Sequence, residues 1–264
     1  MVIIGWLSDH FNDQSGGAEL TERSWQQSCP ANAGIVYCPP TKRPPEVDVF
    51  YVGNCTTYGD HWIEELAKRP VAKMVHDPWW HGAPILRRWL LDNTSLLMFH
   101  SPVQVERFDY PFDLHYELVP DAVDTTLFMD AAQENREGNV YVAHCAYHKG
   151  LHNAIDWSLC NDEELDLYGG WGMGFRPGEL PSNVRYHGKV DYVKVPGILG
   201  KAKRLIFMPV WTEPYGRVVV EASAAGCEMV LGGDIGCLWW MEHRPEDMAR
   251  SNELFWSAMG AILG

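Results

Sequence analysis

The chain has 264 residues, of which 46% are hydrophobic and 21% are charged, and this composition suits one large or two small globular domains. The formal net charge of −14 excludes a chain-wide electrostatic grip on a polyanion, although a local basic patch stays compatible with it. The seven cysteines form no C-x-x-C pair, which indicates reduced thiols in a cytoplasmic protein rather than a disulfide framework or a zinc site.

No run of the sequence approaches the ~20 apolar residues that a membrane span needs. Contact with a membrane surface stays open for the stretch 68–88, where basic residues accompany Trp79 and Trp80. The alternative is a solvated helix face over an aromatic core. The basic residues of this stretch are Lys68, Arg69, Lys73, Arg87 and Arg88.

In the first 120 residues, short apolar runs alternate with helical patterns. The predicted strands are 2–7, 35–37, 47–52, 71–75 and 96–99, and the predicted helices are about 18–27, 58–68 and 85–91. A polar stretch without clear periodicity, 121–138, is typical of a linker.

A second alternating unit is predicted at 139–250, followed by a last helix at 251–264. The predicted strands of this second unit are 140–143, 165–168, 184–187, 205–210 and 229–232. Its predicted helices begin at 149, 192 and 218, and the last two end at 200 and 225. This alternation predicts two doubly wound α/β domains with parallel sheets, 1–120 and 139–250. Ligands of such sheets bind beyond the carboxyl ends of the strands.

The most informative motif, EPYGRVVVEASAAG, occupies residues 213–226 and follows an apolar strand. Pro214 suits the start of a helix, because the first backbone N–H groups of a helix have no partner there. Gly216 lets a ligand approach the backbone closely. The helix that follows offers free N–H groups and the positive end of its dipole, which favours a diphosphate.

Two carboxylates flank that helix start. Glu213 lies in the loop, and Glu221 lies about one and a half turns into the helix, so each is placed to accept hydrogen bonds from neighbouring sugar hydroxyls. From these residues alone, a capped helix with surface glutamates is an equal alternative.

The E-x7-E spacing of this motif resembles that of the retaining GT-B glycosyltransferases of the family 4 type. The resemblance continues in order and spacing from about 119 to 238. Its other segments are VPDAVDTTLF at 119–128, YVAHCAYHKG at 141–150, LDLYGG at 165–170, VRYHGKV at 184–190 and GGDIG at 232–236.

This resemblance implies the GT-B fold, in which two Rossmann-like domains face a central cleft. In such a fold the last helix, here 251–264, packs back on the first domain. It also implies retaining transfer of a hexosyl-type sugar from a UDP-sugar, or less favourably a GDP-sugar, to an acceptor hydroxyl. No cofactor is implied, and the absence of a D-x-D motif agrees with a metal-independent reaction. The implied acceptor is a glycan or a lipid-linked glycan, but the first domain is short for this family, which weakens any inference about the acceptor.

Carried over residue by residue, Glu213 would contact the donor sugar, Glu221 the ribose and Lys149 the donor phosphates. A fixed ammonium group and helix N–H groups would stabilise the charge that develops on a leaving diphosphate. Without this context, Lys149 would be a solvated lysine at a helix start. The loop residues Pro214, Tyr215, Gly216 and Arg217 complete this side of the implied donor site.

The resemblance is weaker in the first domain. Gly16 and Gly17 correspond to the family's glycine loop after the first strand, which approaches the donor. His76 corresponds to a histidine near the donor sugar, and it joins Glu213 and Lys149 as an implied catalytic residue. The alternative for His76 is a structural histidine at a strand end. Ser101 is predicted to cap a helix.

One departure from the family affects the phosphate site. Ala143 and His144 stand where the family usually has Gly-Arg, and a neutral histidine holds phosphates less well than an arginine does. Our hypothesis is that Arg217 supplies the missing charge.

Three other functions stay open. One is glycosyl transfer to a hydroxymethylated base of viral DNA, through a small basic face around Arg69, Lys73, Arg87 and Arg88. Another is a non-catalytic module that binds nucleotide-sugars, which would be marked by loss of Glu213 or Lys149, yet both are present. The third is a GT-B isomerase, which needs further carboxylates in the first domain that the sequence does not place.

Overall fold

The structure, a computed structural model, describes residues 1–9, 11, 16–77, 84–107, 115–172 and 180–263. Within them, parallel strands alternate with helices, as the sequence predicts. The strands are β1 (Val2–Leu7), β2 (Ala33–Tyr37), β3 (Val49–Val52), β4 (Val71–Val75), β5 (Leu96–Phe99), β6 (Tyr116–Leu118), β7 (Glu137–Val142), β8 (Leu165–Tyr168), β9 (Val184–Gly188), β10 (Ala202–Phe207) and β11 (Glu228–Leu231).

Most helices occupy the connections between these strands. They are α1 (Gly17–Gln27), α2 (Ile63–Leu66), α3 (Pro84–Asn93), α4 (Pro102–Arg107), α5 (Thr126–Ala131), α6 (Leu151–Asn161), α7 (Val195–Lys201), α8 (Arg217–Ala225), α9 (Gly236–His243), α10 (Pro245–Met248) and α11 (Ser251–Leu263). Single 3-10 turns, Asp60–Trp62 and Tyr192–Lys194, precede α2 and α7.

The chain forms two compact units, residues 1–122 together with 239–264, and residues 123–238. The first unit has a six-stranded parallel sheet in the order β2-β1-β3-β4-β5-β6, and the second has a five-stranded parallel sheet in the order β11-β10-β7-β8-β9. Each is a Rossmann-like, doubly wound arrangement, because the chain adds strands first on one side of its starting strand and then on the other.

These units differ from the expected division. The stretch 121–138, predicted as a linker, contains α5 and the start of β7. Phe128 of α5 is fully buried, and α5 packs against α7 and α8 of the second unit. A six-residue helix with one deeply buried side chain is too short to show a helical period in the sequence.

The end of the second unit also differs, because the compact unit ends at 238 rather than at 250. Two helices that the sequence did not predict, α9 and α10, lie on either side of 244. The last helix, α11, belongs to the first unit, and its Phe255 stacks on Trp25 of α1 with ring centroids 4.3 Å apart. The indole of Trp25 also donates a hydrogen bond to the Ser251 hydroxyl at 3.0 Å.

The structure places one basic residue of the stretch 68–88 inside the first unit. Lys73 is buried, and its ammonium group donates to the carbonyl oxygens of Gly53 and Met74 at 2.5 and 2.8 Å. Trp79 and Trp80 lie outside the described residues. The predicted surface patch therefore loses Lys73, because that side chain points into the first unit. Among the described residues, no helix is long and apolar enough to cross a membrane.

We predict that Phe255→Ala destabilises the protein by about 3–5 kcal/mol, since it empties an aromatic site in a packed core. Chemical denaturation followed by tryptophan fluorescence measures the change. Ile85→Ala is the matched control, because Ile85 in the same unit is 64% exposed and should shift stability by less than about 0.5 kcal/mol. Equal losses in the two variants would contradict the packing role of α11.

Candidate functional site

The second unit has its topological switch point between β7 and β10. These strands are neighbours, but the chain leaves β7 towards β8 and leaves β10 towards β11 on the opposite side. The loops after the two strands therefore diverge and leave a crevice at the carboxyl edge of the sheet. Lys149 lies in the loop after β7, and Glu213 lies in the loop after β10.

The two side chains meet in that crevice. Lys149 Nζ lies 2.7 Å from Glu213 Oε2, and Trp211 Nε1 donates to the same oxygen at 3.0 Å. The ammonium group also lies 4.5 Å from the centroid of the Trp211 ring, within the range of a cation–π contact. The side chains of Lys149 and Glu213 are 22% and 11% exposed, so this ion pair is half-buried yet reachable.

Backbone hydrogen bonds set this geometry. The Val210 N–H donates to the His148 carbonyl at 3.0 Å and joins the loops after β10 and β7. The Glu213 N–H donates to the Asp234 carbonyl at 2.8 Å, and the Gly236 N–H donates to the Glu213 carbonyl at 2.9 Å. The loop that carries Glu213 after β10 is thus bonded to the loops after β7 and β11, the strands on either side of β10.

A left-handed glycine precedes each helix of the site. Gly150, with φ 74°, comes before α6, and an added Cβ would lie 1.8 Å from the Met208 carbonyl oxygen. Gly216, with φ 87°, comes before α8, and its Cβ would lie 2.7 Å from Ile235 Cγ2. Only glycine adopts this backbone at this packing without strain. The predicted need for glycine at 216 therefore has a structural cause, and the N-termini of α6 and α8 begin beside the ion pair.

The other predicted loop residues support this edge. Pro214 and Tyr215 are both buried, and the Tyr215 carbonyl accepts from the Cys237 N–H at 2.7 Å. His144 follows β7 and is exposed. Among the described residues, no three His, Cys, Asp or Glu side chains converge on a position that suits a metal ion.

Glu221 has two partners that the sequence did not reveal together. Its Oε1 accepts from the Tyr192 hydroxyl at 2.8 Å and lies 3.5 Å from an Arg217 guanidinium nitrogen. Arg217 also donates to the Tyr192 hydroxyl at 3.3 Å, and its side chain is only 9% exposed. Arg217 therefore lies against Glu221, although our sequence hypothesis assigned it to donor phosphates.

In the first unit, the switch point lies between β1 and β3, and the loop with Gly16 and Gly17 follows β1. Gly16 has an extended backbone, with φ −134° and ψ 169°, and α1 begins at Gly17. A Cβ at Gly16 would meet the end of the flexible Glu19 side chain. The backbone itself therefore does not demand glycine at 16. Residues 12–15 of this loop lie outside the described residues.

His76 belongs to a buried polar chain at the carboxyl edge of the first sheet. His76 Nε2 lies 2.8 Å from Glu22 Oε1, His76 Nδ1 lies 2.9 Å from His100 Nε2, and His100 Nδ1 lies 2.9 Å from Asp121 Oδ1. Both ring nitrogens of His76 thus contact protein atoms. A hydrogen bond from His76 to a donor sugar would require one of these contacts to break.

Glu22 of this network contacts Trp6, Tyr51 and His76. Burial alone would raise its pKa, but the hydrogen bond and charge of His76 and the donors Trp6 and Ser8 outweigh burial and hold the pKa below its ordinary value. Trp6 Nε1 donates to Glu22 Oε2 at 3.1 Å, and the Tyr51 hydroxyl donates to Glu22 Oε1 at 3.2 Å. The ionised carboxylate is therefore part of the folded core.

We predict that Glu22→Gln lowers the free energy of unfolding by about 3 kcal/mol at pH 7, because it breaks a buried charged network. A lowered pKa stabilises the fold above the ordinary carboxyl pKa of 4.5, and this stabilisation is lost as the pH falls through the folded-state pKa. The difference between wild type and variant should therefore shrink below about pH 4.5.

Denaturant unfolding between pH 7 and pH 3 measures this difference. Glu64→Gln, at an exposed position of α2, is the control and should leave stability unchanged at each pH. A constant difference between wild type and Glu22→Gln over the whole range would contradict the assignment.

Comparison with known proteins adds the fold family. No protein-family model and no curated protein matches this chain in sequence. Solved structures match its fold over the full chain. HepE of Anabaena, in complex with UDP and glucose, matches with a TM-score of 0.65 and 14% identity over 96% of its own length. The sucrose-phosphate synthase of Thermosynechococcus elongatus matches with a TM-score of 0.68 and 12% identity over 95% of its length, and AviGT4, a glycosyltransferase of avilamycin A biosynthesis, with a TM-score of 0.60 and 15% identity over 93%. The chain therefore has the GT-B fold, as its sequence predicts, and identities this low show nothing beyond the fold.

Some residues of the site were missed by sequence reasoning. Trp211 is one of twelve tryptophans, and its place two residues before Glu213 in an extended loop is the only local hint. Tyr192 is separated from Glu221 by 29 positions, and no local pattern connects them.

Proposed function

We propose that this protein is a retaining glycosyltransferase, which transfers a hexosyl-type sugar from a nucleoside-diphosphate sugar to an acceptor hydroxyl. The carrying observation is the Lys149–Glu213 pair at the switch point of the second sheet, beside the N-termini of two helices. The fold supports the same activity, because AviGT4 is a glycosyltransferase. HepE is in complex with UDP and glucose in one structure and with UDP-glucose in another, so a UDP-sugar is the preferred donor and a GDP-sugar the second candidate.

The proposed roles follow from charge and reach. Lys149 and the N–H groups at the starts of α6 and α8 would hold the donor diphosphate and stabilise the charge that it gains on leaving. Glu213, which neighbours Lys149, would accept hydrogen bonds from hydroxyls of the transferred sugar. Glu221 would accept them from the ribose. The residues themselves require no cofactor in this scheme.

In the proposed reaction, the bond between the anomeric carbon and the diphosphate oxygen breaks, and its electron pair goes to the diphosphate. The acceptor oxygen attacks the same face of the sugar, which retains the anomeric configuration. The acceptor proton passes to the leaving phosphate oxygen. This scheme needs no protein nucleophile, which agrees with the pairing of Glu213 to Lys149 and Trp211.

The preferred acceptor is a glycan or a lipid-linked glycan. The basic face that would favour modified DNA is weaker than its sequence suggested, since Lys73 is buried, Arg69 donates to the Val47 carbonyl at 2.7 Å and Arg88 pairs with Asp92 at 2.8 Å. Contact with phosphates would have to compete with these partners.

The first test is binding and turnover with a panel of UDP- and GDP-sugars, using calorimetry and release of the nucleoside diphosphate. We expect binding of at least one donor, and slow donor hydrolysis. Binding with no turnover on any acceptor would favour the non-catalytic module, and no binding to any donor would overturn the proposal.

Acceptor arrays then separate the acceptor classes. They should include glycans, lipid-linked glycans and duplex DNA with hydroxymethylcytosine. We expect transfer to a glycan or lipid-linked glycan, with the anomeric configuration of the product read by NMR. An inverted product would contradict retention, and transfer to DNA alone would replace the preferred acceptor.

We predict that Glu213→Ala lowers turnover by about 10²-fold or more, because its carboxylate should touch the reacting sugar. Glu228→Ala is the matched control, since Glu228 lies on β11 of the same unit and pairs with Arg204 of β10. Steady-state rates measure the effect. Wild-type rates in Glu213→Ala would contradict the role given to this carboxylate.

We also predict that Trp211→Phe lowers kcat by about tenfold, since it removes one charge-assisted hydrogen bond to Glu213 and keeps an aromatic ring beside Lys149. Trp157→Phe, at a partly buried position of α6, serves as the control and should keep the wild-type rate. Equal kcat values in the two variants would show that the indole N–H does not position Glu213.

A further inference from the structure

Tyr192, Arg217 and Glu221 form a compact polar cluster in the second unit. The Tyr192 hydroxyl donates to Glu221 Oε1 at 2.8 Å and accepts from Arg217 at 3.3 Å, while Arg217 and Glu221 lie 3.5 Å apart. Each member contacts the other two. The side chains of Arg217 and Glu221 are 9% and 5% exposed, so solvent screens their interaction little.

Three separate elements hold this cluster in place. Arg217 and Glu221 lie one turn apart on α8, while Tyr192 comes from the 3-10 turn after β9. The Tyr192 ring packs edge-on against Phe128 of α5 at 6.3 Å, and Phe128 is fully buried. The tyrosine is therefore fixed at its ring and at its hydroxyl, which leaves the Glu221 carboxylate few alternative orientations.

The protonation of the cluster suits hydrogen bonding. Burial, and then the charge of Glu221, raise the pKa of Tyr192 well above its ordinary value. The phenol consequently stays protonated at neutral pH and donates to the carboxylate. Arg217 balances the negative charge of Glu221, and both side chains are largely buried.

We propose that Tyr192 and Arg217 are positioning residues that orient the Glu221 carboxylate towards the ribose hydroxyls and thereby set the preference for ribonucleotide donors. The inference rests on the proposed function, in which Glu221 contacts the ribose. It gives Arg217 a part in ribose recognition in place of the phosphate binding that the sequence hypothesis assigned to it.

The physical reason is the cost of unpaired polar groups. A site built around a fixed carboxylate discriminates strongly against a ligand without the matching hydroxyls, because the carboxylate is then left without its partners. A carboxylate that is free to turn finds other partners, and the discrimination falls. Orientation by Tyr192 and Arg217 should therefore appear as selectivity between nucleotides, in addition to affinity.

The test compares UDP with 2′,3′-dideoxy-UDP, and GDP with 2′,3′-dideoxy-GDP, by calorimetry on the full chain. We expect wild type to bind one ribonucleotide about tenfold or more tightly than its dideoxy form. Tyr192→Phe and Arg217→Lys should reduce that ratio to about threefold or less, and Glu221→Gln should reduce it similarly. Tyr168→Phe, which removes a hydroxyl from β8 of the same unit, should keep the wild-type ratio.

The outcomes separate the two levels of inference. No binding of UDP, GDP or any of the donor sugars to wild type would overturn the proposed function and this inference with it. A wild-type ratio near one would show that Glu221 does not contact the ribose. It would overturn this inference and the role proposed for Glu221, but it would leave the proposed glycosyl transfer standing. An unchanged ratio in Tyr192→Phe and in Arg217→Lys would also overturn the inference, even with weaker binding, because a purely structural role lowers affinity for both nucleotides equally. Thermal melting identifies a variant that fails to fold, and the remaining variant then decides.

Discussion

The ion pair between Lys149 and Glu213 depends on the order of the strands more than on any local motif. The two residues are 64 positions apart, and they meet because β7 and β10 are parallel neighbours whose chains leave in opposite directions. Parallel neighbours bring their carboxyl ends to one edge, and the divergence of their loops keeps that edge open. The left-handed glycines Gly150 and Gly216 then start a helix on each side of the pair.

The arrangement also answers an electrostatic question that the sequence raises. A donor diphosphate is an anion, yet the motif places two carboxylates beside its expected position in a chain of net charge −14. In the structure, each carboxylate has its own cation, since Lys149 pairs with Glu213 and Arg217 with Glu221. The carboxylates remain hydrogen-bond acceptors, but at distances larger than the separation of each pair the cation cancels most of the field of the carboxylate. In the proposed site, the two helix N-termini would then attract the diphosphate without strong repulsion from the glutamates.

Local features of the fold could be predicted from the sequence, and contacts between distant segments could not. Apolar runs placed β1, β4, β5 and β8 at their observed bounds, and Ser101 does cap α4, where its hydroxyl accepts from the Gln104 N–H at 3.2 Å. The short helix α5 was missed, because six residues do not show a period. Lys73 was misplaced on the surface, since its charge gave no hint that backbone carbonyls would satisfy it inside the first unit.

The same limit explains why Arg217 was assigned to the phosphates. In the sequence, Ala143 and His144 replace the Gly-Arg that the family resemblance implies, and Arg217 was the hypothesised source of the missing charge. In the structure, Tyr192 of the 3-10 turn after β9 contacts both Arg217 and Glu221. Our proposal accordingly gives Arg217 a part in positioning Glu221. In the proposed site, with Arg217 held against Glu221, Lys149 and the two helix starts are the groups that would face the donor diphosphate. Lys149 is already paired with Glu213, so in the proposed complex this ammonium group would be shared between a carboxylate and a phosphate. On our proposal, a donor whose sugar hydroxyls satisfy Glu213 would compensate for that sharing, whereas a free nucleoside diphosphate would not, and the site would favour the intact nucleotide-sugar.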